Sequence, residues 1–317
     1  MKLIKPSVEE WHCGYTLPEI WSHIAKCARV CYQSEPRNNN ETDEEFVKRV
    51  ILRNHSFDEI AENRDLQLKL HLSVLEHGTV YLKLPKVSYV AEFYKAEPHS
   101  KTYIDYIESN KPSVYVTTNI RVIVEHGRIN DLQYICAPTE HHYLRTTFNI
   151  ITDIGVAREL ARHRTHSISE ESTRYCNYSK DKFGNEVTFI IPNWASVYYA
   201  DGSIKIDNIN TNLIYNVTTN DTQPLYGNKA TKDFLIGLYR VENIYFQLIN
   251  NGYTPQQARQ ILPISTKVQT VHTAFDIDWF EFIELRADAC SGSVHPNMKV
   301  IATKIKDLMN KEDATDQ

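Results

Sequence analysis

Glycine is the residue whose scarcity most restricts what this chain can form. The sequence has only 10 glycines among 317 residues, and no two of them lie closer than ten positions apart. The nucleotide-binding turns G-x-G-x-x-G and G-x-x-x-x-G-K need closely spaced glycines, because the backbone itself approaches the phosphates there. A standard Rossmann turn and a P-loop are therefore excluded. If the protein binds a nucleotide, it must do so with side chains.

Composition and charge narrow the class of protein further. A chain of this length allows one large domain or two ordinary ones, and its 42% apolar and 24% charged residues indicate a soluble globular protein. The net charge of −5 argues against a protein that coats duplex nucleic acid, although a local basic pocket is compatible with it. The sequence lacks a run of about 18 apolar residues and its start lacks a signal-peptide core, so we expect no membrane span and a cytoplasmic location.

The six cysteines are scattered along the chain, which is typical of reduced thiols in a cytoplasmic protein. Cys27 and Cys31 lie one helical turn apart. Two small residues in a packed helix are a more common reason for that spacing than a metal ligand pair. We therefore predict no metal site.

Helix and strand signals are mixed along the chain, which predicts an α+β fold. An apolar pattern predicts a helix over 66–77, ended by Gly78, and β-branched and aromatic runs predict strands at Thr79–Leu84 and Leu144–Ile151. Capping boxes and first-turn prolines place the starts of further helices near Pro18, Thr42, Thr254 and Pro296.

Residues 162–175 hold the densest cluster of basic and hydroxyl side chains. They read Arg-His-Arg-Thr-His-Ser-Ile-Ser-Glu-Glu-Ser-Thr-Arg-Tyr and follow a short predicted helix capped by Asp153. Basic residues at a helix C-terminus are common and usually solvated, so Arg-His-Arg alone is weak evidence. From Ser167 onward we predict a loop, in which arginines can fork onto phosphate oxygens and Glu170 can accept from a sugar hydroxyl or base imide. This segment predicts a side-chain cradle for an anionic nucleotide.

Arg286 is a second candidate. Asp278 can cap a helix on which Trp279, Phe282 and Ile283 share a face with this arginine. An arginine at the end of an aromatic stripe needs a partner. The alternatives are snorkelling to the surface, a salt bridge to Glu170 or another carboxylate, and a ligand.

These residues resemble those of a known family, the flavin-dependent thymidylate synthases. Its hallmark is Arg-His-Arg, seven residues and Ser, which stands here as residues 162–164 and Ser172, with the accompanying Ser167, Glu170, Arg174 and Tyr175 in place. Other blocks that resemble the family are Ala28–Tyr32, Leu75–His77, Gln257–Arg259, Leu262-Pro263 and Leu285-Arg286. The resemblance spans residues 20–310.

The resemblance implies a fold and an activity. The fold would be α+β, with a central antiparallel-rich sheet and flanking helices, in one domain over 1–317 with insertions at about 85–143 and 184–228. The enzyme would be a methyltransferase that converts dUMP to dTMP, with the carbon from methylenetetrahydrofolate and reduction through FAD by NADPH. It would be a homotetramer with shared active sites, and it would have neither nucleic acid nor a membrane as a partner.

The resemblance also implies roles for individual residues. Those expected to hold dUMP are Glu159, Arg162, Glu170, Ser172, Thr173, Arg174, Arg259 and Arg286. Among them Arg162, Ser172 and Arg286 are expected to be catalytic, with Arg286 polarising a pyrimidine carbonyl. Those expected to face FAD are Cys31, His77, Thr79, His163, Arg164 and Thr165.

Some positions depart from the family pattern. Ser169 stands where Asn or Gln is frequent, and Glu159 stands near a frequent Gln. Compact members contact flavin through Asn and Arg residues between the Leu-Pro and Leu-Arg blocks, where a gapless reading puts Phe275, Ile277 and Glu281. Cys176 directly follows the motif, but the family does not need a covalent enzyme nucleophile.

Two other functions stay open at this point. The departures on the flavin side allow a nucleotide-binding homologue without synthase activity. Less favoured is a protein that binds single-stranded nucleic acid through residues 162–174 with tyrosine stacking, because the net charge is negative and acids alternate with the bases.

Overall fold

A computed structural model describes residues 1–34, 40–84, 89–105, 113–195, 197, 203–205, 228–290 and 292–315. Its strands are β1 (Lys2–Ile4), β2 (Ser7–Glu10), β3 (Thr79–Leu84), β4 (Lys101–Asp105), β5 (Ser113–Asn119), β6 (Arg145–Asp153), β7 (Ser167–Glu170), β8 (Thr188–Ile190), β9 (Ser203–Lys205) and β10 (Lys267–Phe275). Its α-helices are α1 (Leu17–Tyr32), α2 (Asp43–Val50), α3 (Phe57–Glu62), α4 (Arg64–Lys69), α5 (Tyr89–Ala96), α6 (Ile120–Glu125), α7 (Ile154–Leu160), α8 (Lys229–Asn250), α9 (Pro255–Ala258), α10 (Asp276–Arg286) and α11 (Pro296–Thr315). The 3-10 helices are Leu72–His77, Ile129–Tyr134, Asp181–Phe183 and Arg259–Ile261.

The sheet that carries the motif has the strand order β2-β6-β10-β7, and every neighbouring pair in it is antiparallel. Strands β6 and β10 pair over their whole length, from Lys267 opposite Asp153 to Phe275 opposite Arg145. Strand β7 takes the edge, with Thr273 opposite Ser167 and Thr270 opposite Glu170. The motif is therefore held along the rim of this sheet.

Helices cover both faces of the sheet. On one face α7, α10 and α11 enclose a core that includes Phe148, Ile150, Trp279, Phe282 and Ile301. On the other face α1 contacts β7 and β10, and its Cys27 and Val30 pack against Val271. Side chains alternate along a strand, so alternate residues of β10 supply the two layers: Ala274 lies in the first core and Val271 in the second.

Two smaller sheets flank this unit. Strands β3, β5 and β4 form an antiparallel sheet whose apolar side packs with α1, α2 and α6. Strand β1 pairs in parallel with β8 and antiparallel with β9, and the core around it includes residues of α8. In the part of the chain that the structure describes, no helix is long and apolar enough to cross a membrane.

The predicted class, α+β with antiparallel sheets, is confirmed. Strand Thr79–Leu84 has the predicted bounds, and helices begin as predicted near Pro18, Thr42, Thr254 and Pro296. The segment 85–143, which has no clear sequence period, contributes β4 and β5 to a sheet. Most of the segment 184–228 lies outside the described residues.

Three local predictions were wrong. The helix over 66–77 is broken, because Leu70 is extended and the following 3-10 turn directs Leu72, Leu75 and His77 inward. Ser167–Glu170 is an edge strand rather than a loop, because β10 offers its backbone groups for pairing. Helix α10 begins at Asp276, two residues before the predicted cap Asp278.

Gly78 allows a close approach between the chain that leads into β3 and the helices packed on it. A methyl group at this position would stand 2.5 Å from the Ile24 side chain and 3.0 Å from that of Ile120. We predict that Gly78→Ala lowers the free energy of unfolding by about 1–3 kcal/mol, because the overlap forces buried side chains to move. Urea unfolding measures it.

Gly237→Ala is the matched control, since nothing lies within 4 Å of its added methyl group on α8. That change should leave stability unaltered or raise it by up to about 1 kcal/mol. Equal behaviour of the two variants would contradict the packing described for Gly78.

Candidate active site

The segment after β7 is fixed to the body of the protein by backbone hydrogen bonds. The Ser172 N–H donates to the Cys31 carbonyl at 2.9 Å, and the Ser172 carbonyl accepts from the N–H groups of Tyr175 and Cys176, each at 3.0 Å. Both backbone groups of Ser172 are thus used inside the protein. Its hydroxyl is the group available to a ligand.

An ion pair between the buried Glu171 and Lys267 also fixes this segment to the sheet. The Glu171 carboxylate is 1% exposed and lies 2.6 Å from Lys267 Nζ. It also accepts from the Gln269 N–H at 3.2 Å, and the Glu171 N–H donates to the Gln269 carbonyl at 2.8 Å. A buried carboxylate needs such partners to offset its lost hydration. Glu171 therefore fixes the direction in which the chain leaves the sheet.

Arg286, at the end of α10, reaches back to the motif. Its Nε–H donates to His163 Nε2 at 3.3 Å, and its Nη1 lies 3.4 Å from the Glu159 carboxylate. Of the alternatives for this arginine, the structure shows a salt bridge to a carboxylate other than Glu170. Residues more than 120 positions apart in sequence are brought together here.

The His163 ring is uncharged in this arrangement. Burial and the neighbouring Arg286 guanidinium lower the pKa of His163 to about 4. Because its Nε2 accepts from Arg286, the proton of the neutral ring sits on Nδ1. The ring packs edge-on against Phe282, with centroids 4.9 Å apart. His163 thus orients Arg286 and can present an N–H donor on its other side.

A second contact joins the motif to the block after α8. Arg259 Nη1 donates to Thr173 Oγ1 at 3.0 Å, and Arg174 Nε donates to Gln256 Oε1 at 3.1 Å. Arg259 lies in a 3-10 turn directly after α9. The sequence blocks that resemble the family therefore converge on residues 159–174.

The predicted nucleotide-side residues are mostly accessible. Arg162, Glu170 and Arg174 are exposed, while Glu159, Ser172, Thr173, Arg259 and Arg286 are half-buried. Together they present arginine forks and hydroxyl donors along one edge of the sheet, which suits a phosphate and a polar ring.

The predicted flavin-side residues separate into two groups. His163, Arg164 and Thr165 lie on the half-buried to exposed turn before β7, whereas His77 and Thr79 are buried beneath that strand and Cys31 is half-buried. Both ring nitrogens of His77 are occupied, Nδ1 by Thr273 Oγ1 at 2.8 Å and Nε2 by Ser169 Oγ at 3.0 Å. Burial also holds the pKa of His77 well below its usual range. In this arrangement His77 supports Ser169 from inside the protein.

The structure also shows where the residues at the departures from the family pattern, and the cysteine after the motif, lie. Phe275 is buried at the end of β10, while Ile277 and Glu281 are exposed on α10. Cys176 is buried, and burial raises the pKa of its thiol to about 12. Such a thiol is protonated at neutral pH and is a poor nucleophile.

Sequence reasoning missed several residues of this region. Arg145, at the start of β6, donates to the Glu76 carbonyl, to Thr79 Oγ1 and to Ser167 Oγ at 3.1–3.4 Å. His166 and His272 face each other inside the core, with their Nδ1 atoms 3.3 Å apart. Glu171 lies inside the motif and could have been noted for its position, but nothing in the sequence links Arg145 or His272 to the motif.

Residues 102–313 match the model of the family described as thymidylate synthase complementing protein. The chain belongs to this family. The membership confirms the family predicted from the sequence and supports the predicted thymidylate synthase and methyltransferase activity. No curated protein sequence matches.

Two solved structures of a UMP/dUMP methylase, PolB from Streptomyces cacaoi, are also similar. The one bound with 5-Br dUMP has 22% identity and a TM-score of 0.36, over 53% of this chain and 66% of that chain. The one bound with 5-Br UMP has 16% identity and a TM-score of 0.40, over 98% of this chain and 91% of that chain. The family match alone carries the assignment.

The buried histidines make stability depend on pH. Burial lowers the pKa to about 4 for His23 and His163, about 3 for His272 and about 2 for His166. Since the unfolded histidines take up protons near pH 6.5, stability is fully present above that pH and is lost as pH falls toward 4. We predict a falling free energy of urea unfolding between about pH 7 and about pH 5.

The matched variants are His272→Gln and His295→Gln, at a buried and an exposed histidine respectively. The first should flatten the slope by roughly one proton, and the second should leave it unchanged. A wild-type stability that is constant over this range would contradict the neutral, buried state of these rings.

Proposed function

We propose that this chain is a flavin-dependent thymidylate synthase, which methylates dUMP reductively to dTMP with methylenetetrahydrofolate and NADPH as co-substrates. Family membership supports this proposal. One structural observation indicates which residues would form the active site. Arg286 contacts His163 and Glu159, and Arg259 contacts Thr173, so separate blocks of the family pattern meet at one place.

The nucleotide would be held on the exposed side of this cluster. Arg162 and Arg174 are exposed arginines that can fork onto the phosphate oxygens. The Ser172 hydroxyl and Arg259 add donors beside them, and the Glu170 carboxylate accepts from the sugar or the base. Thr173 holds Arg259 in place.

Arg286 would polarise a carbonyl of the pyrimidine ring. His163 and Glu159 hold its Nε and Nη1 groups, which leaves N–H donors on Nη2 for a ligand. A fixed cation at a carbonyl draws electron density from the ring and opens the conjugated carbon to attack. Because His163 stays neutral, the positive charge remains on Arg286 alone.

The residues present fit a flavin nucleotide. Its carbonyl and phosphate oxygens accept hydrogen bonds, and this side of the cluster offers the Arg164 guanidinium and His163 Nδ1 as donors. The Thr165 hydroxyl, which hydrogen-bonds Asp278, would face the flavin beside them. Cys31, His77 and Thr79 would support the site from beneath β7. When bound, FAD would supply the redox chemistry, with its electrons coming from NADPH, while the protein binds, orients and excludes water.

We extend the proposal to the finer features of the family. The chain would have the flavin-dependent thymidylate synthase fold as a single domain over 1–317, with insertions at about 85–143 and 184–228. It would work in the cytoplasm as a homotetramer with shared active sites, without nucleic acid or a membrane as a partner.

The direct test is the purified protein. We expect a yellow protein with a flavin absorbance spectrum and release of dTMP from dUMP when methylenetetrahydrofolate and NADPH are present. A colourless protein that fails to bind added FAD would overturn the proposal. Tight dUMP binding without flavin-dependent turnover would instead identify a homologue that only binds the nucleotide.

Substitution of Arg286 tests its proposed catalytic role most directly. Arg286→Gln should lower kcat by about 100- to 1,000-fold, because a donor aimed at developing charge is lost. Arg286→Lys should recover part of it, since a charge remains but the fork does not. Arg240→Gln, at an exposed arginine on α8, should keep the wild-type rate. An active Arg286→Gln enzyme would remove Arg286 from the catalytic role.

A further inference from the structure

Arg145 is a half-buried cation whose hydrogen bonds all go to neutral groups. Its Nη1 donates to the Glu76 carbonyl at 3.1 Å and to Thr79 Oγ1 at 3.2 Å, and its Nη2 donates to Ser167 Oγ at 3.4 Å. Its Nε–H is buried and has no partner. Among the described residues, no carboxylate lies within ion-pair distance of it. Burying a charge without a counter-charge is costly, so the guanidinium has unused capacity for an acceptor.

This guanidinium borders a cavity of about 140 Å³, which Thr79, Tyr81 and Thr147 also line. Two carboxylates on the same wall contact other lining residues: Glu10 lies 3.3 Å from His12, and Asp276 accepts from Thr146 Oγ1 at 2.7 Å. The mixed charge of the wall suits a neutral or singly charged acceptor group better than a free polyanion. The size suits one functional group of a larger ligand.

Arg145 lies beside Phe275, one of the positions at which this chain departs from the family pattern. Compact members of the family touch flavin through Asn and Arg residues in the stretch where this chain has Phe275 and Ile277. Phe275 is the register partner of Arg145 across β10 and β6, and the guanidinium lies 5.4 Å from the centre of its ring. The same guanidinium donates to Thr79, which is one of the residues predicted to face FAD.

We propose that Arg145 donates a hydrogen bond to an acceptor oxygen of FAD. The inference rests on the proposed function. It assigns a flavin-binding role to a residue outside the sequence motif, and it gives Thr79 the role of holding the guanidinium toward the cavity.

The first test is the affinity of apo-protein for FAD, measured by fluorescence titration. Arg145→Gln should raise Kd by about 10- to 100-fold, since a charge-assisted hydrogen bond is lost. Arg121→Gln is the matched control, because Arg121 also bonds Glu76 but pairs with carboxylates and does not line the cavity. It should bind FAD with the wild-type Kd. A folded Arg145→Gln protein with wild-type affinity would overturn the inference.

A second measurement needs no variant and holds even if Arg145→Gln fails to fold. Phenylglyoxal labels arginines in the wild-type apo-protein, and mass spectrometry locates the label. FAD should protect Arg145 and leave the labelling of Arg121 unchanged. If FAD binds but Arg145 labels equally with and without it, this inference alone fails. If the wild-type protein binds no FAD, the proposed function fails with it.

Discussion

The pairing of β7 with β10 is the constraint on which the candidate site depends. Strand β10 has β6 on one side over nine residues and β7 on the other over four. Strand β7 lies at the edge of this sheet, and in the described part of the chain β10 is its strand neighbour. His163 to Thr165 lie in the turn that precedes this strand, and Ser172 and Thr173 lie in the turn that follows it. One short ladder therefore sets the position of both halves of the motif.

The layer beneath this strand is polar, which is unusual for a buried position. Ser169, His77, Thr273 and Thr147 form a chain of hydrogen bonds of 2.7–3.0 Å. Such a layer is stable only when nearly every group has a partner, and it then allows one register of the strand rather than several. Ser169 stands where the resemblance predicts a frequent Asn or Gln, and its hydroxyl lies 3.0 Å from His77 Nε2.

Electrostatics divides the site into two parts. The exposed side carries arginines that a nucleotide would neutralise, while the histidines behind it are held neutral by burial. This division places positive charge where a ligand can meet it and keeps it out of the core. Two carboxylates pair with cations of this region. Glu159 pairs with Arg286, and Glu171 pairs with Lys267.

The sequence by itself determined where several helices and a strand begin and which side chains are available at the site. The capping box at Thr42, the cap at Asp153 and the strand Thr79–Leu84 were predictable because their signals lie within a few neighbouring residues. The motif likewise supplied the residue types that a side-chain nucleotide cradle needs. A resemblance in residue pattern gave the family, which the match over residues 102–313 confirms.

Only the tertiary structure decided which distant groups meet. The strand at Ser167–Glu170 forms because β10 completes its hydrogen bonds, and the bonds of Arg286 to His163 and of Arg145 to Thr79 and Ser167 join separate elements. The burial of His77 depends in the same way on strands far along the chain. No local signal encodes these contacts, because their energy comes from burial and pairing that exist only once the sheet has closed. The sequence thus determined which side chains are available, and the fold decided which of them are exposed to a ligand and which stay buried to support the site.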